Sequence, residues 1–298
     1  MKQHTINQAI NIKGVGIHSG KTVSMRLVPA ACNSGIVFVR TDFSPNVEIP
    51  ALYSNVWSTA MSTDIGTHKA VVRTIEHLMS ALHCVGVDNL RIELDSEEIP
   101  VMDGSAASFV FLIQETGLQE QAGSRKFMKI TQSVTVTDQD RIATLSPAPS
   151  LIMDFAIDFD HSAIGSSRYT IDLSAKSFAK HIAPARTFGF LSDVEKLHAA
   201  GLGLGGSINN AIILDEYRVL NPEGLRFDDE FVRHKILDAV GDLYTSGYPV
   251  IGKYSASRAG HALNNKLLQA VVEQQAYTIV CASPESQSEC EFFTTVAC

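Results

Sequence analysis

The stretch Phe231-Val232-Arg233-His234-Lys235-Ile236-Leu237-Asp238-Ala239-Val240-Gly241-Asp242-Leu243 decides how the rest of the chain is read. Its apolar residues Phe231, Val232, Ile236, Leu237, Val240 and Leu243 recur at the spacing of a helix that buries one face. On such a helix His234 and Asp238 stand one turn apart, so an imidazole and a carboxylate can reach one cation from a rigid backbone, and Asp242 continues the row. That is half of a metal site. An isolated H-x-x-x-D also describes an ordinary solvated helix, so the missing ligand must come from elsewhere in the chain.

Outward from this helix the chain reads as one order of elements used twice. In the first half, strands at 5–15, 22–29 and 35–41 precede a helix at 74–83, a buried strand at 89–94 and a helix at 106–116. In the second, a hairpin of 126–137 and 141–146 turns at Asp138-Gln139-Asp140, and a strand at 151–159 and a helix at 174–182 follow. The helix at 229–245, a strand at 249–256 and a helix at 261–275 complete that half. Residues 43–70 and about 192–222 interrupt the order; the latter holds a short helical piece, the segment Gly201-Leu202-Gly203-Leu204-Gly205-Gly206-Ser207 and a strand at 211–214. The expected fold is α+β, with two related domains of β-β-β-α-β-α order at 1–125 and 126–298. Their helices pack between the two sheets, and each domain carries a small insertion.

Composition narrows the class of function. A chain of 298 residues with 45% hydrophobic and 19% charged residues is a globular protein with a sizeable core. A net charge of −8 argues against nucleic acid or an anionic membrane as the main partner. No apolar run at the N-terminus resembles a signal peptide, and no stretch is long enough for stable membrane insertion, so a cytoplasmic monomer is expected. Five cysteines without paired spacing fit reduced thiols.

In the alignment of halves, the helix with His234 and Asp238 is the counterpart of the helix with Glu76 and His77. If the domains pack through these helices, His77 faces His234 and Asp238. Two imidazoles and one carboxylate leave a fourth position open, the arrangement of a catalytic Zn2+ site, and zinc lowers the pKa of its water to about 7. Glu76, about 100° around the helix from His77, is placed to take the proton. His261 opens a helix after Gly260; as a protonated imidazole it can stabilise an oxyanion or hand a proton to a leaving amine, with Asp242 placed to pair with it. The G-x-G segments at 14–20 and 201–206 do not run from a strand into a helix and are read as turns, the second able to bring an apolar chain close to the backbone.

With Glu76-His77 set beside His234-Lys235-x-x-Asp238, the sequence closely resembles a known family, the bacterial UDP-3-O-acyl-N-acetylglucosamine deacetylases of lipid A synthesis. The shared segments are Gly14 to Gly20, Thr74-Ile75-Glu76-His77-Leu78, Ile99-Pro100-Val101-Met102-Asp103-Gly104-Ser105-Ala106, Ala185-Arg186-Thr187-Phe188-Gly189-Phe190, Phe231 to Leu243 and Gly260-His261-Ala262-Leu263-Asn264-Asn265-Lys266. They span all but about the last twenty residues. The resemblance implies a zinc amidase that removes acetate from the glucosamine nitrogen of an acylated UDP-sugar. It implies His77, His234 and Asp238 as zinc ligands, Glu76 as general base, and His261 as acid oriented by Asp242. Thr187 becomes an oxyanion donor, Phe188 lines the sugar site, Lys235 meets the diphosphate, and uracil stacks on Phe159. The insertion becomes an acyl passage containing Leu202 and Leu204. Two departures stand out: Ser162 where a proline is expected, and Arg258 where a lysine facing phosphate is expected.

Two other classes share the motif. An iron(II) oxygenase also uses two histidines and a carboxylate, but with an H-x-D pair on a strand or loop. A metal clip between domains predicts a closed fourth position, against which Glu76 and His261 speak.

Overall fold

The protein, seen in a computed structural model, is described over residues 1–281; the end of the expected second domain, with Cys290 and Cys298, lies outside the described residues. The first half runs β1 (Lys2–Ile6), β2 (Ile10–Val15), β3 (Thr22–Pro29), β4 (Ile36–Arg40) and β5 (Val47–Pro50). A small three-stranded insertion, β6 (Val56–Ser58), β7 (Asp64–Gly66) and β8 (Val71–Val72), leads into α1 (Glu76–Val85), β9 (Leu90–Leu94), α2 (Ala107–Thr116) and β10 (Leu118–Ser124). The second half runs β11 (Lys126–Ile130), β12 (Val134–Asp138), β13 (Arg141–Ser146), β14 (Leu151–Asp158), β15 (Ser166–Asp172) and α3 (Ala175–His181). Its insertion contains β16 (Phe188–Phe190), α4 (Val194–Ala199) and β17 (Ile212–Leu214), and α5 (Glu230–Tyr244), β18 (Val250–Ser257), α6 (His261–Glu273) and β19 (Tyr277–Cys281) follow.

Pairing shows the repeat more clearly than the order of elements does. The first sheet is ordered β2-β3-β9-β4-β5, with β9 parallel to β4 and every other pair antiparallel. The second contains β12-β13-β18-β14-β15, with β18 parallel to β14 and the other pairs antiparallel. Beside these, β1 and β10 form a separate antiparallel pair, whereas the antiparallel pair β11–β19 joins the second sheet through a short parallel contact of β11 with β18. A parallel pair needs a crossover, and the crossover helices are α1 in one half and α5 in the other. The two helices singled out in the sequence are therefore topological equivalents.

Their burial follows from that position. Every residue of α1 from Glu76 to Cys84 is buried, and in α5 only Arg233 and Lys235 are not. A helix covered on all sides lies at the centre of a core, where each fully buried leucine or isoleucine contributes about 1.5–3 kcal/mol. Gly86, in the left-handed region, ends α1 and donates its N–H to the Leu82 carbonyl. Where α5 crosses α1, a Cβ added at Gly241 would run into the Glu76 carbonyl oxygen. The missing side chain sets how closely the two helices approach.

Several expectations are corrected. Residues 5–15 are two strands, because β1 leaves the first sheet to pair with β10 while β2 pairs with β3; 126–137 divides because β11 pairs with β18 and β19 while β12 pairs with β13. The segment before residue 125 is strand β10 rather than a bare connection, and β15, β16 and β19 were not anticipated. Each is short or lies at a sheet edge with weak alternation.

Gly241→Ala is expected to push α5 off α1 and cost about 1–3 kcal/mol. The measurement is a lower urea midpoint with an unchanged m-value.

Candidate metal and catalytic site

The N-terminal turn of α1 is fixed before any ligand is considered. Thr74 has a φ of 60° and donates its hydroxyl to Glu98 Oε1 at 3.2 Å, and the Ile75 N–H bonds the Thr63 carbonyl at 3.1 Å. This holds Glu76 and His77, the first two residues of the helix, against the second and third turns of α5. The His77 and His234 rings meet edge to face with centroids 4.9 Å apart.

Asp238 completes the group. Its Oδ1 lies 3.3 Å from His234 Nε2 and 3.5 Å from His77 Nε2, yet makes no hydrogen bond of acceptable geometry. His234 Nδ1 donates to the Ala185 carbonyl at 3.0 Å, and burial pushes this imidazole down to about 3, so it is neutral with a bare Nε2. A lone pair then faces a carboxylate oxygen across a buried gap. The neutralising group that satisfies both is a cation, and one ligand atom each from His77, His234 and Asp238 lie within 4.8 Å of one another. The residues fit a metal.

The second carboxylate oxygen, Asp238 Oδ2, accepts from Lys235 Nζ at 2.9 Å and lies 4.0 Å from His261 Nε2. Burial pushes the Asp238 carboxyl up, but His234, Lys235 and His77 outweigh it and hold the group well below the usual carboxylate range. Glu76 behaves oppositely: burial dominates over His261 and His77 and raises it to about 7. Burial lowers His261, yet Asp242, bonded to its Nδ1 at 2.9 Å, together with Glu76 and Asp238 raises it to about 10. A carboxyl group raised toward neutrality and an imidazole held protonated therefore stand close to Asp238, an arrangement suited to taking one proton and giving another.

A cavity of about 880 Å³ opens onto this group. Glu76, His77, His234, Lys235, Asp238, His261, Thr187, Phe188 and Phe159 all line it, with Asp242 behind His261. Phe159 and Phe188 meet edge to face at 5.7 Å, and Lys235 Nζ sits 5.5 Å from the Phe188 ring centroid. Much of the remaining lining comes from the second insertion, where the apolar Leu191, Leu197, Ile208, Ile213 and Leu220 stand among Asp193, Lys196 and His198.

Three expected contacts are not brought there. Leu202 and Leu204 are absent from the lining: the Leu204 and Gly205 N–H groups bond the His18 and Ile17 carbonyls at 3.1 and 3.0 Å, which leaves the Leu204 side chain 51% exposed. Gly203 and Gly206 face the cavity in their place. Arg258 is clamped by Asp140 and Asp158 and does not line the cavity either. Ser162 donates its hydroxyl to the Tyr217 carbonyl at 2.7 Å, tying the loop after Phe159 to the insertion without a proline.

Other contributors went unread. Thr63, inside the interrupting stretch 43–70, bonds both Glu76 and Asp242, and Asn264 donates to Asp242 at 2.8 Å. His18 faces the cavity with a buried Nδ1 that has no protein partner among the described residues, and Glu98 holds its loop by accepting the His18 and Ser19 N–H groups at 2.8 Å. Only the presence of His18 in the segment 14–20 hinted at this.

A cation-ready cluster set where two repeated crossover helices meet, with a buried carboxyl group and a buried imidazole beside it, marks the class of metal-dependent hydrolases. Within that class the chain belongs to the UDP-3-O-acyl N-acetylglycosamine deacetylase (LpxC) family, whose family model matches residues 3–273. It is 49% identical over 294 residues to the UDP-3-O-acyl-N-acetylglucosamine deacetylases of Shewanella piezotolerans and Shewanella halifaxensis, covering 97% of this chain and 96% of each relative. The protein of that name from Pasteurella multocida is 49% identical over 278 residues, 92% of this chain and 91% of its own.

The apoprotein should take up one divalent cation per chain and melt at a higher temperature with it than without. His77→Ala, His234→Ala and Asp238→Ala are each expected to abolish both the uptake and the shift. A stoichiometric ion retained by one variant removes that residue from the set.

Proposed function

We propose that this chain hydrolyses the acetamide of UDP-3-O-acyl-N-acetylglucosamine, releasing acetate, in lipid A biosynthesis. The observation that carries the reading is the gathering of Glu76, Asp238 and His261, with one ligand atom of each within 4.8 Å of the others, in a cavity that the apolar side chains of the second insertion also line. The metal is proposed to be Zn2+, held by His77, His234 and Asp238, where it supplies a Lewis acid for the carbonyl and a water acidic enough to ionise near neutral pH. Glu76 takes the proton from the attacking water as general base. His261, held as an imidazolium by Asp242, gives a proton to the leaving glucosamine nitrogen, and the Thr187 hydroxyl donates to the developing oxyanion. Phe188 shapes the sugar site, Lys235 meets the diphosphate and Phe159 offers a stacking face to uracil. Because Arg258 is tied to two carboxylates, its expected phosphate contact requires that clamp to open.

The acyl chain is proposed to lie against Leu197, Ile208, Ile213 and Leu220, which supports an acyl passage in the second insertion while shifting its wall away from Leu202 and Leu204. Two domains meeting near residue 125, a monomeric state, a cytoplasmic setting and no role for nucleic acid belong to the same proposal. The repeated strand pairing supports the two domains, and the net charge of −8 supports the absence of a nucleic-acid role. Among the described residues no helix is long and apolar enough to cross a membrane.

The direct test is acetate release from acylated UDP-N-acetylglucosamine with and without a chelator; turnover that survives chelation overturns the metal-dependent reading. The base must be ionised, so the rate falls as pH drops through the Glu76 value, about 7 without metal and lower beside a cation; the acid must be protonated, so the rate falls as pH rises through the His261 value, about 10. Glu76→Gln should lose the acidic limb and His261→Ala the alkaline one. Each costs about 10²-fold or more in kcat with metal still bound.

Each buried methylene of the acyl chain contributes about 0.8 kcal/mol, so removing the chain should lower kcat/KM by orders of magnitude. Leu197→Glu is expected to impair the acylated substrate selectively, and Leu204→Glu to have little effect. Equal kcat/KM for acylated and bare UDP-N-acetylglucosamine would contradict the passage.

A further inference from the structure

We propose that Thr63 is a positioning residue that locks the general acid and the general base into one frame. This inference rests on the roles given above to Glu76 and His261. Thr63 sits between β6 and β7, is 2% exposed, and is not among the residues lining the cavity, so it meets no substrate. All three of its polar groups are committed. Its N–H donates to Glu76 Oε2 at 3.0 Å, its carbonyl accepts the Ile75 N–H at 3.1 Å, and its hydroxyl donates to Asp242 Oδ1 at 2.6 Å. One residue of the first insertion thus touches the base on α1 and, across the seam, the carboxylate on α5 that holds the acid.

The hydroxyl completes the environment of Asp242. Oδ2 accepts from His261 Nδ1 and from Asn264 Nδ2, and the Asn264 amide is oriented by the Tyr254 hydroxyl, which donates to its oxygen at 2.5 Å. Oδ1 has Thr63 as its hydrogen-bond donor. Three donors converging on one buried carboxylate keep it an acceptor and fix its plane, and that plane fixes the His261 ring with Nδ1–H bonded and Nε2 turned toward Asp238. Without the hydroxyl, Oδ1 is a buried carboxylate oxygen lacking its donor, which Asp242 relieves by rotating, taking His261 with it. Meanwhile the Thr63 N–H leaves the other Glu76 oxygen free to face the water. The distance between proton acceptor and proton donor is then set by the backbone and side chain of a single residue.

Valine has the shape of threonine without the hydroxyl, and it keeps both backbone bonds. In the metal-loaded full chain acting on acylated UDP-N-acetylglucosamine, Thr63→Val is expected to lower kcat about 10- to 100-fold with KM and metal content unchanged. Thr63→Ser, which restores the donor, should return kcat close to wild type. In a His261→Gln background the valine should add no more than about a twofold loss, because the acid through which it acts is already gone. A wild-type kcat in Thr63→Val, an equal loss in Thr63→Ser, or the same fold-loss in both His261 backgrounds overturns the inference. If His261→Gln alone turns over at the wild-type rate, the acid assignment itself falls. That outcome is distinguishable from a neutral Thr63→Val beside an impaired His261→Gln.

Discussion

The contact between α1 and α5 at Gly241 is the constraint on which the site depends. Two crossover helices, each required by a parallel strand pair in its own sheet, are brought close enough at Glu76 and Gly241 that no side chain fits between them. His77 reaches Asp238 only because of that approach. A helix pair spaced at an ordinary 8–10 Å by larger side chains would leave the imidazole and carboxylate too far apart to share an ion.

Burying so many ionisable groups at one crossing is unfavourable unless each is satisfied, and the surroundings are built accordingly. Glu230 is fully buried one turn before His234, where it accepts from the Arg186 backbone and guanidinium and from the Arg226 N–H. That arrangement fixes the loop Ala185-Arg186-Thr187, whose Ala185 carbonyl holds His234. Glu98 performs the same service for the loop 16–20 and for the turn into α1. The exception within the cluster is Asp238 Oδ1, and a buried carboxylate oxygen left without a donor is the strongest structural argument for a cation.

Much of this was legible in the sequence because helices of period 3.6 carry their polar residues as exceptions. Glu76 and His77 stand in a largely apolar segment, and the i, i+4 spacing of His234 and Asp238, which an ordinary solvated helix also shows, gained its meaning once set beside them. The repeat was legible as order but not as pairing, since which strands leave one sheet for another depends on contacts between residues a hundred positions apart, as for Ile6 and Leu118. Leu202 and Leu204 misled because apolar residues between glycines announce a close backbone approach without saying to what. Here the partner is the loop 16–20 rather than a ligand. Thr63 was invisible for a different reason: a threonine in a polar, weakly periodic stretch carries no pattern, and its role exists only through partners on two distant helices.

The repeat is symmetric in path and asymmetric in chemistry. The α1 helix offers Glu76 and His77 from its first turn, whereas α5 offers His234, Asp238 and Asp242 from deeper along its length, so neither helix carries the other's set. During synthesis Glu76 and His77 emerge long before the residues that face them, and the centre forms only once the chain has been made as far as α5 and α6. Competence to act on the substrate coincides with the arrival of the second half.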